Sequence, residues 1–233
     1  MIDSYVCLDL ETTGLNPKTD KIIEIGAVKV RAGEITDRME TLVNPGRALE
    51  ERIVELTGIC DEQLADAPDI AEVLPELLTF IGEDILLGHA VLFDYSFVKK
   101  AAVNQKFKFE KSGIDTLRLA RKFLPELESR SLGALCRHFG IAHNAHRALA
   151  DAQATSVLYG KLAELFYEGH EEDFVPVPLL YQAKRDTPIT IPQKEQLYKL
   201  IDRHKIAIGY QVDKLTRSEA SRIMAQILAE YGR

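Results

Sequence analysis

Two acids spaced two residues apart, Asp9 and Glu11, end the apolar run Tyr5-Val6-Cys7-Leu8-Asp9-Leu10-Glu11 and are followed by Thr12-Thr13-Gly14. Val6, Leu8 and Leu10 alternate with Cys7, Asp9 and Glu11, so a strand would put both carboxylates on one face. Like charges held that close repel and raise each other's pKa unless a cation sits between them, which makes a divalent metal the simplest occupant. An isolated Asp-x-Glu is also a common way to lead solvated acids into a turn, so the pair needs partners. Asp94 stands where a strand and loop give way to a helix, and Asp151 near the start of a long helix, five residues after His146. Three or four carboxylates from different elements can hold two divalent ions roughly 3.5–4 Å apart, which clamp the attacking and leaving oxygens of a phosphodiester. Mg²⁺ or Mn²⁺ suits such an all-oxygen set. A histidine on a mobile loop beside them, with its ordinary pKa of about 6.5, could take the proton of the attacking water.

Each residue has a structural alternative. Asp94 could cap its helix, Asp being a favoured N-cap, and Asp151 could complement a helix dipole. Asp115 could be a fifth ligand, although a structural role in the Asp115-Thr116 turn is the better reading. Phe93 suits a core position or a stacking platform equally. His89, His138 and His143 read as structural or solvated.

The elements that must position these groups follow from turn chemistry and periodicity. After the first strand, Asn16-Pro17-Lys18-Thr19-Asp20 is a turn, Ile22 to Val30 a second strand and Ile35 to Val43 a third, giving an antiparallel meander. Leu49 to Leu56 and Asp61 to Ala65 read as short helices. Ile70, Val73, Leu74, Leu77, Leu78 and Ile81 recur at helical spacing, with Pro75 inside the pattern, so this is either a kinked helix or two shorter pieces. Asp84 to Gly88 is a short strand, Asp94 to Val103 a helix and Gly113 to Thr116 a further strand. Helices follow over Leu117 to Phe123, Ser131 to Phe139 with Gly140 closing it, and Ala148 to about Tyr167. Residues 169–188 carry Pro176, Pro178 and Pro188 and lack helical period, which predicts a linker. Residues 189–233 form a small helical module in which Thr216-x-x-Glu219 is a capping box. A piece this short has little core of its own, so it should dock on a partner, on nucleic acid or on the main domain.

With 233 residues and 46% hydrophobic content, the chain can bury one large core and an appendage. A formal charge of −7 excludes coating of nucleic acid by bulk positive charge, but not a polyanionic substrate guided by a local basic strip. Cys7, Cys60 and Cys136 are too scattered for a disulfide framework or a zinc site. No apolar run reaches the roughly 18 residues of a membrane span, so a soluble, cytoplasmic protein is expected, with no membrane partner.

Asp9-x-Glu11-Thr12-Thr13-Gly14, Leu56-Thr57-Gly58-Ile59, His89-x-x-x-Phe93-Asp94, Ser131-Leu132-x-x-Leu135-Cys136 and His146-x-x-x-x-Asp151 occur in this order. Together they resemble the motifs of the DEDDh, or DnaQ-like, 3′–5′ exonucleases, the family that includes the epsilon proofreading subunit of bacterial DNA polymerase III. The resemblance covers about residues 1 to 168. It implies a ribonuclease-H-like α/β fold, a mixed five-stranded sheet flanked by helices, and release of nucleotides from a 3′ end. It also implies that Asp9, Glu11, Asp94 and Asp151 ligate two Mg²⁺ or Mn²⁺ ions with His146 as general base. Thr12 and Thr13 would approach the terminal nucleotide through the backbone, and Thr57 and Phe93 would line its base and sugar. The implied partners are a single-stranded or frayed DNA 3′ end and a DNA polymerase catalytic subunit. The alternatives are an exoribonuclease trimming short RNA, and a polymerase- or nucleic-acid-tethering module whose last helix carries Lys214, Arg217 and Arg222 to contact phosphate. One residue departs from the pattern: relatives usually carry Asn after the His of the second motif, where this chain has Ala90.

Overall fold

A computed structural model of the chain describes residues 1–232. Its centre is a six-stranded mixed sheet in the order β3-β2-β1-β4-β5-β6. β1 (Tyr5–Thr12), β2 (Ile22–Arg31) and β3 (Glu34–Leu42) form the expected antiparallel meander, and β4 (Leu86–Gly88) and β5 (Ser112–Asp115) add in parallel to β1. The five predicted strands are present. The sixth, β6, is the two-residue Val177–Pro178, paired antiparallel with β5.

The alternation in β1 decides the layering. Val6, Leu8 and Leu10 face one core, formed with α3 (Ile70–Ile81) and α4 (Leu92–Asn104). Tyr5 and Cys7 face a second core with α5 (Thr116–Phe123), α6 (Leu132–Phe139) and α7 (Ala148–Phe166). A third cluster, Ile23, Ile53, Ile59 and Leu64, seats the small helices α1 (Glu51–Thr57) and α2 (Asp61–Leu64) against β2. Pro75 does not split α3, which runs as one helix capped at its start by the Asp69 carboxylate. Gly26 permits the closest packing in the fold. A Cβ there would lie 2.0 Å from the Ala148 carbonyl carbon, so only glycine lets β2 touch the first turn of α7.

The stretch expected as a linker lies along the main domain. Phe174, in the 3₁₀ turn Glu171–Phe174, is buried in the second core, and Leu179 in the first. Asp186 is held on α4 by Lys100 Nζ at 2.6 Å and Asn104 Nδ2 at 2.8 Å. Tertiary packing here overrides a composition rich in proline and charge. Beyond it, α8 (Ile191–His204) and α9 (Arg217–Tyr231) pack around Leu197, Leu200, Leu215, Ala220, Met224 and Ile227. Both helices start in capping boxes, Thr190 with Gln193 and Thr216 with Glu219. Lys214 lies before α9, in the 3₁₀ turn Val212–Lys214, rather than on the last helix.

Candidate active site

The parallel strands β1, β4 and β5 end at the same edge of the sheet, where ligands of open α/β sheets bind. A cleft of about 450 Å³ opens there, lined among others by Asp9, Glu11, Phe93, Asp94, His146 and Asp151. Carboxylate oxygens of Asp9, Glu11 and Asp151 come within 4.8 Å of one another. Asp94 joins them through the backbone: its Oδ1 accepts the Leu10 N–H at 3.1 Å, between the two acids of β1. It sits in the first turn of α4, but the N-cap position is Val91, so Asp94 is not spent on capping.

Asp151 lies in the first turn of α7 and its Oδ2 accepts the His146 N–H at 2.9 Å. The start of α7 is in turn fixed from β2 by Glu24, whose side chain is fully buried. Glu24 Oε1 accepts from Arg147 Nε at 3.0 Å and Nη2 at 2.8 Å, and its Oε2 accepts the Ala148 N–H at 2.9 Å. A carboxylate from another element thus serves the unpaired N–H groups and positive end of the helix. Glu24 also sits opposite Glu11 in the β1–β2 register, so it fixes α7 and crowds the acids at once.

The electrostatics are those of carboxylates crowded together out of water. Burial, followed by the charges of Asp94, Asp151 and Glu11, raises Asp9 well above the ordinary carboxylate range. Burial and then Asp151 and Glu24 push Glu11 up to about 7, with Arg147 pulling the other way. Burial raises Asp94 as well, against the N–H groups that donate to it. Converging carboxylates destabilised as anions are a donor set that fits a hard divalent cation. When bound, such cations supply stabilisation of charge on the attacking and leaving oxygens of a phosphodiester.

The other expected residues separate. Phe93 lines the cleft, half-buried, its ring 5.0 Å from that of Phe97. His146 is exposed at the cleft with a left-handed backbone, φ 65°. Thr12 ends β1 and Thr13 opens the turn after it; both are buried, neither is among the residues lining the cleft, and the Thr13 N–H donates to the Lys21 carbonyl at 2.8 Å. Thr57 is spent on α1: its Oγ1 donates to the Ile53 carbonyl at 2.8 Å and accepts the Ile59 N–H at 3.1 Å. It is not among the residues lining the cleft. Asp115 has the structural role, accepting from the N–H groups of Ala90 and Leu117, both at 2.9 Å. His89 is structural too, its ring nitrogens bonded to Thr116 Oγ1 and the Arg130 carbonyl. His143, expected to be structural or solvated, instead belongs to the site. Its Nε2 is hydrogen-bonded to Asp151 Oδ1, and spacing to Asp151 was the signal that could have marked it. Arg137, on α6, supplies a cation at the cleft.

Sheet order and acid cluster together define an α/β protein of ribonuclease-H-like fold. A family model described as Exonuclease matches residues 6–159. The chain is 40% identical over 231 residues to the PolC-type DNA polymerase III of Oceanobacillus iheyensis, covering 93% of this chain and 16% of that protein. It is 39% identical over 184 residues to the DNA polymerase III subunit epsilon of Aquifex aeolicus, covering 78% of this chain and 91% of that one. The chain therefore spans about a sixth of the length of the PolC-type relatives and nearly all of the epsilon relative. Among solved structures, exonuclease X in complex with 5′ overhanging duplex DNA aligns with TM-score 0.57 and 27% identity, over 70% of this chain and 92% of that one. E. coli exonuclease I in complex with a dT13 oligonucleotide aligns with TM-score 0.65 over 73% of this chain and 43% of that one; at 20% identity it bears on the fold alone. The chain belongs to the exonuclease family. Among the described residues, no helix is long and apolar enough to cross a membrane.

Proposed function

We propose that the chain is a 3′–5′ exonuclease that hydrolyses the terminal phosphodiester of single-stranded or frayed DNA. The observation that carries this reading is the convergence of Asp9, Glu11 and Asp151 within 4.8 Å, with Asp94 tied to the same strand. In this reading Asp9, Glu11, Asp94 and Asp151 hold two divalent ions, Mg²⁺ or Mn²⁺. His146, exposed at the cleft, takes the proton of the attacking water. Phe93 presents a ring face to the terminal sugar and base, and Arg137 meets a phosphate. Relatives named as DNA polymerase III proteins favour DNA over RNA, a cytoplasmic place beside replication and a polymerase catalytic subunit as partner. Residues 1–168, with Phe174 and Leu179 of the connecting stretch 169–188 buried in their cores, form the catalytic unit, and 189–233 an accessory module.

The test is a time course on 5′-labelled DNA and RNA oligomers of one sequence, with Mg²⁺, Mn²⁺ or EDTA, for wild type and Asp9→Ala. A metal-dependent ladder shortening from the 3′ end of DNA, absent in the variant, is the expected outcome. Faster trimming of RNA would reassign the substrate, and near-normal turnover by Asp9→Ala would remove the metal assignment.

A further inference from the structure

The C-terminal module reaches the catalytic strand through a carboxylate that the chemistry above does not use. Asp20, its side chain 7% exposed, closes the turn that follows Glu11 by accepting the Asn16 N–H on Oδ2 at 2.9 Å. A Cβ on Gly14 would lie 2.6 Å from that same oxygen, so Asp20 packs directly on the Thr12-Thr13-Gly14 turn. Its Oδ1 accepts from two guanidiniums of different origin, Arg47 Nη2 of the loop after β3 at 3.2 Å and Arg222 Nη1 of α9 at 3.0 Å. Arg47 Nη2 also donates to Thr13 Oγ1 at 2.5 Å. Beside them Lys21 pairs with Glu219 of α9 at 2.9 Å. Burial alone would raise Glu219, but Lys21 and the Thr216 N–H hold it below its ordinary value. Burial, and then the neighbouring Arg222 charge, lowers Arg47. Two mutually repelling cations on one carboxylate oxygen is more than neutralising Asp20 requires, and both lines of contact end on the turn next to Glu11.

We propose that Asp20 and Arg222 are positioning residues for the 3′-end site: through them the C-terminal module holds the turn that directly follows Glu11, and with it the end of β1 that carries the acids. The inference rests on the exonuclease reading. It makes the module act through the turn, to which Asp20 ties Arg222 Nη1, rather than by touching the upstream strand.

The test compares two substrates on wild type, Arg222→Ala, Arg222→Lys and Asp20→Asn. One is a 5′-labelled single-stranded DNA oligomer, and the other is the p-nitrophenyl ester of thymidine 5′-monophosphate, which has no upstream strand. Arg222→Ala should raise KM about tenfold on both substrates while leaving kcat within about twofold, the sign of lost ground-state positioning. Arg222→Lys should recover most of the loss, and Asp20→Asn should reproduce it from the other side, which keeps the test alive should Arg222→Ala not fold. A rise confined to the oligomer would overturn the proposal in favour of direct contact with the strand. Unchanged KM on both would reduce the pair to a docking contact. Wild type inert on both substrates would sink the exonuclease reading itself, and the positioning role with it.

Discussion

Two clusters of charge flank the turn after β1, and they are built in opposite ways. On one side Asp9, Glu11, Asp94 and Asp151 face one another, with Glu24 behind them and its charge committed to Arg147. On the other, Asp20 sits between Arg47 and Arg222 with Lys21 and Glu219 paired alongside. Carboxylates crowded together raise one another's pKa values, and a divalent cation between them relieves that repulsion. A carboxylate supplied with two guanidiniums needs nothing from solution. The first arrangement suits a cation; the second is a joint.

Replacing one acid in each cluster should therefore give opposite effects on stability. Asp9→Asn should end turnover, the largest effect expected, yet raise the melting temperature of the protein in EDTA by removing a repelling charge. Asp20→Asn should lower the melting temperature, through a loss of folding free energy of up to about 3–5 kcal/mol if both guanidiniums stay buried. Glu11 sharpens the contrast. Its folded pKa, about 7, lies above its ordinary value of 4.5, so the stability it contributes is complete below 4.5 and lost as pH rises through 7. Asp9 and Asp94 shift in the same direction. In EDTA the wild-type melting temperature should fall across this window, less steeply in Asp9→Asn, and Mn²⁺ should restore it. Equal slopes in the two proteins would show that the acids do not feel each other, and the comparison would break.

How far each cluster was legible in the sequence follows from the same difference. Asp9 and Glu11 could be assigned to one face because a strand alternates, and the ordered motifs singled out Asp94, His146 and Asp151. Local grammar also gave the meander, the Thr216 cap and the Gly140 stop, while Ser131, read as the first helical residue, turned out to be the N-cap of α6. The Glu24–Arg147 and Asp20–Arg222 pairs could not be read this way, because their members are 123 and 202 residues apart and only the folded chain brings them together. Segment 169–188 misled for a related reason. Its prolines mark lost helical period, but Phe174 and Leu179 are bound by cores assembled from other elements. Thr57 kept its motif position yet spends its hydroxyl on its own helix, which spacing cannot foresee.

Next in size is the pair of histidines. His146→Ala should lower kcat by ~10²–10⁴, the contribution of a general base. His143 bonds Asp151, so it acts on the acid rather than on the water, and His143→Ala should cost about 10–100-fold, as loss of a group orienting a ligand does. A titration with Mn²⁺ separates them: excess metal should recover activity in His143→Ala and leave His146→Ala slow. The reverse pattern would transfer the base to His143 and make His146 the residue that belongs to the acid cluster.

The smallest effect tests the one departure from the family pattern. Ala90 has φ 69°, a left-handed conformation that costs a residue with a Cβ about 1–2 kcal/mol. It is held there because its N–H donates to Asp115 and its carbonyl accepts the Phe93 N–H at 2.8 Å, so the start of α4, and Asp94 with it, depends on a strained residue. Asn tolerates this region better than Ala, which gives a backbone reason for the residue that relatives carry. Ala90→Asn and Ala90→Gly should each stabilise the protein by roughly 0.5–1 kcal/mol, a rise of about 1–4 °C in melting temperature, with glycine's gain trimmed by its unfolded-state entropy. A gain with Asn and none with Gly would mean that the amide side chain makes a hydrogen bond near the site. Equal gains would assign the whole difference to the backbone, and the acid cluster of this chain would then owe nothing to that missing amide.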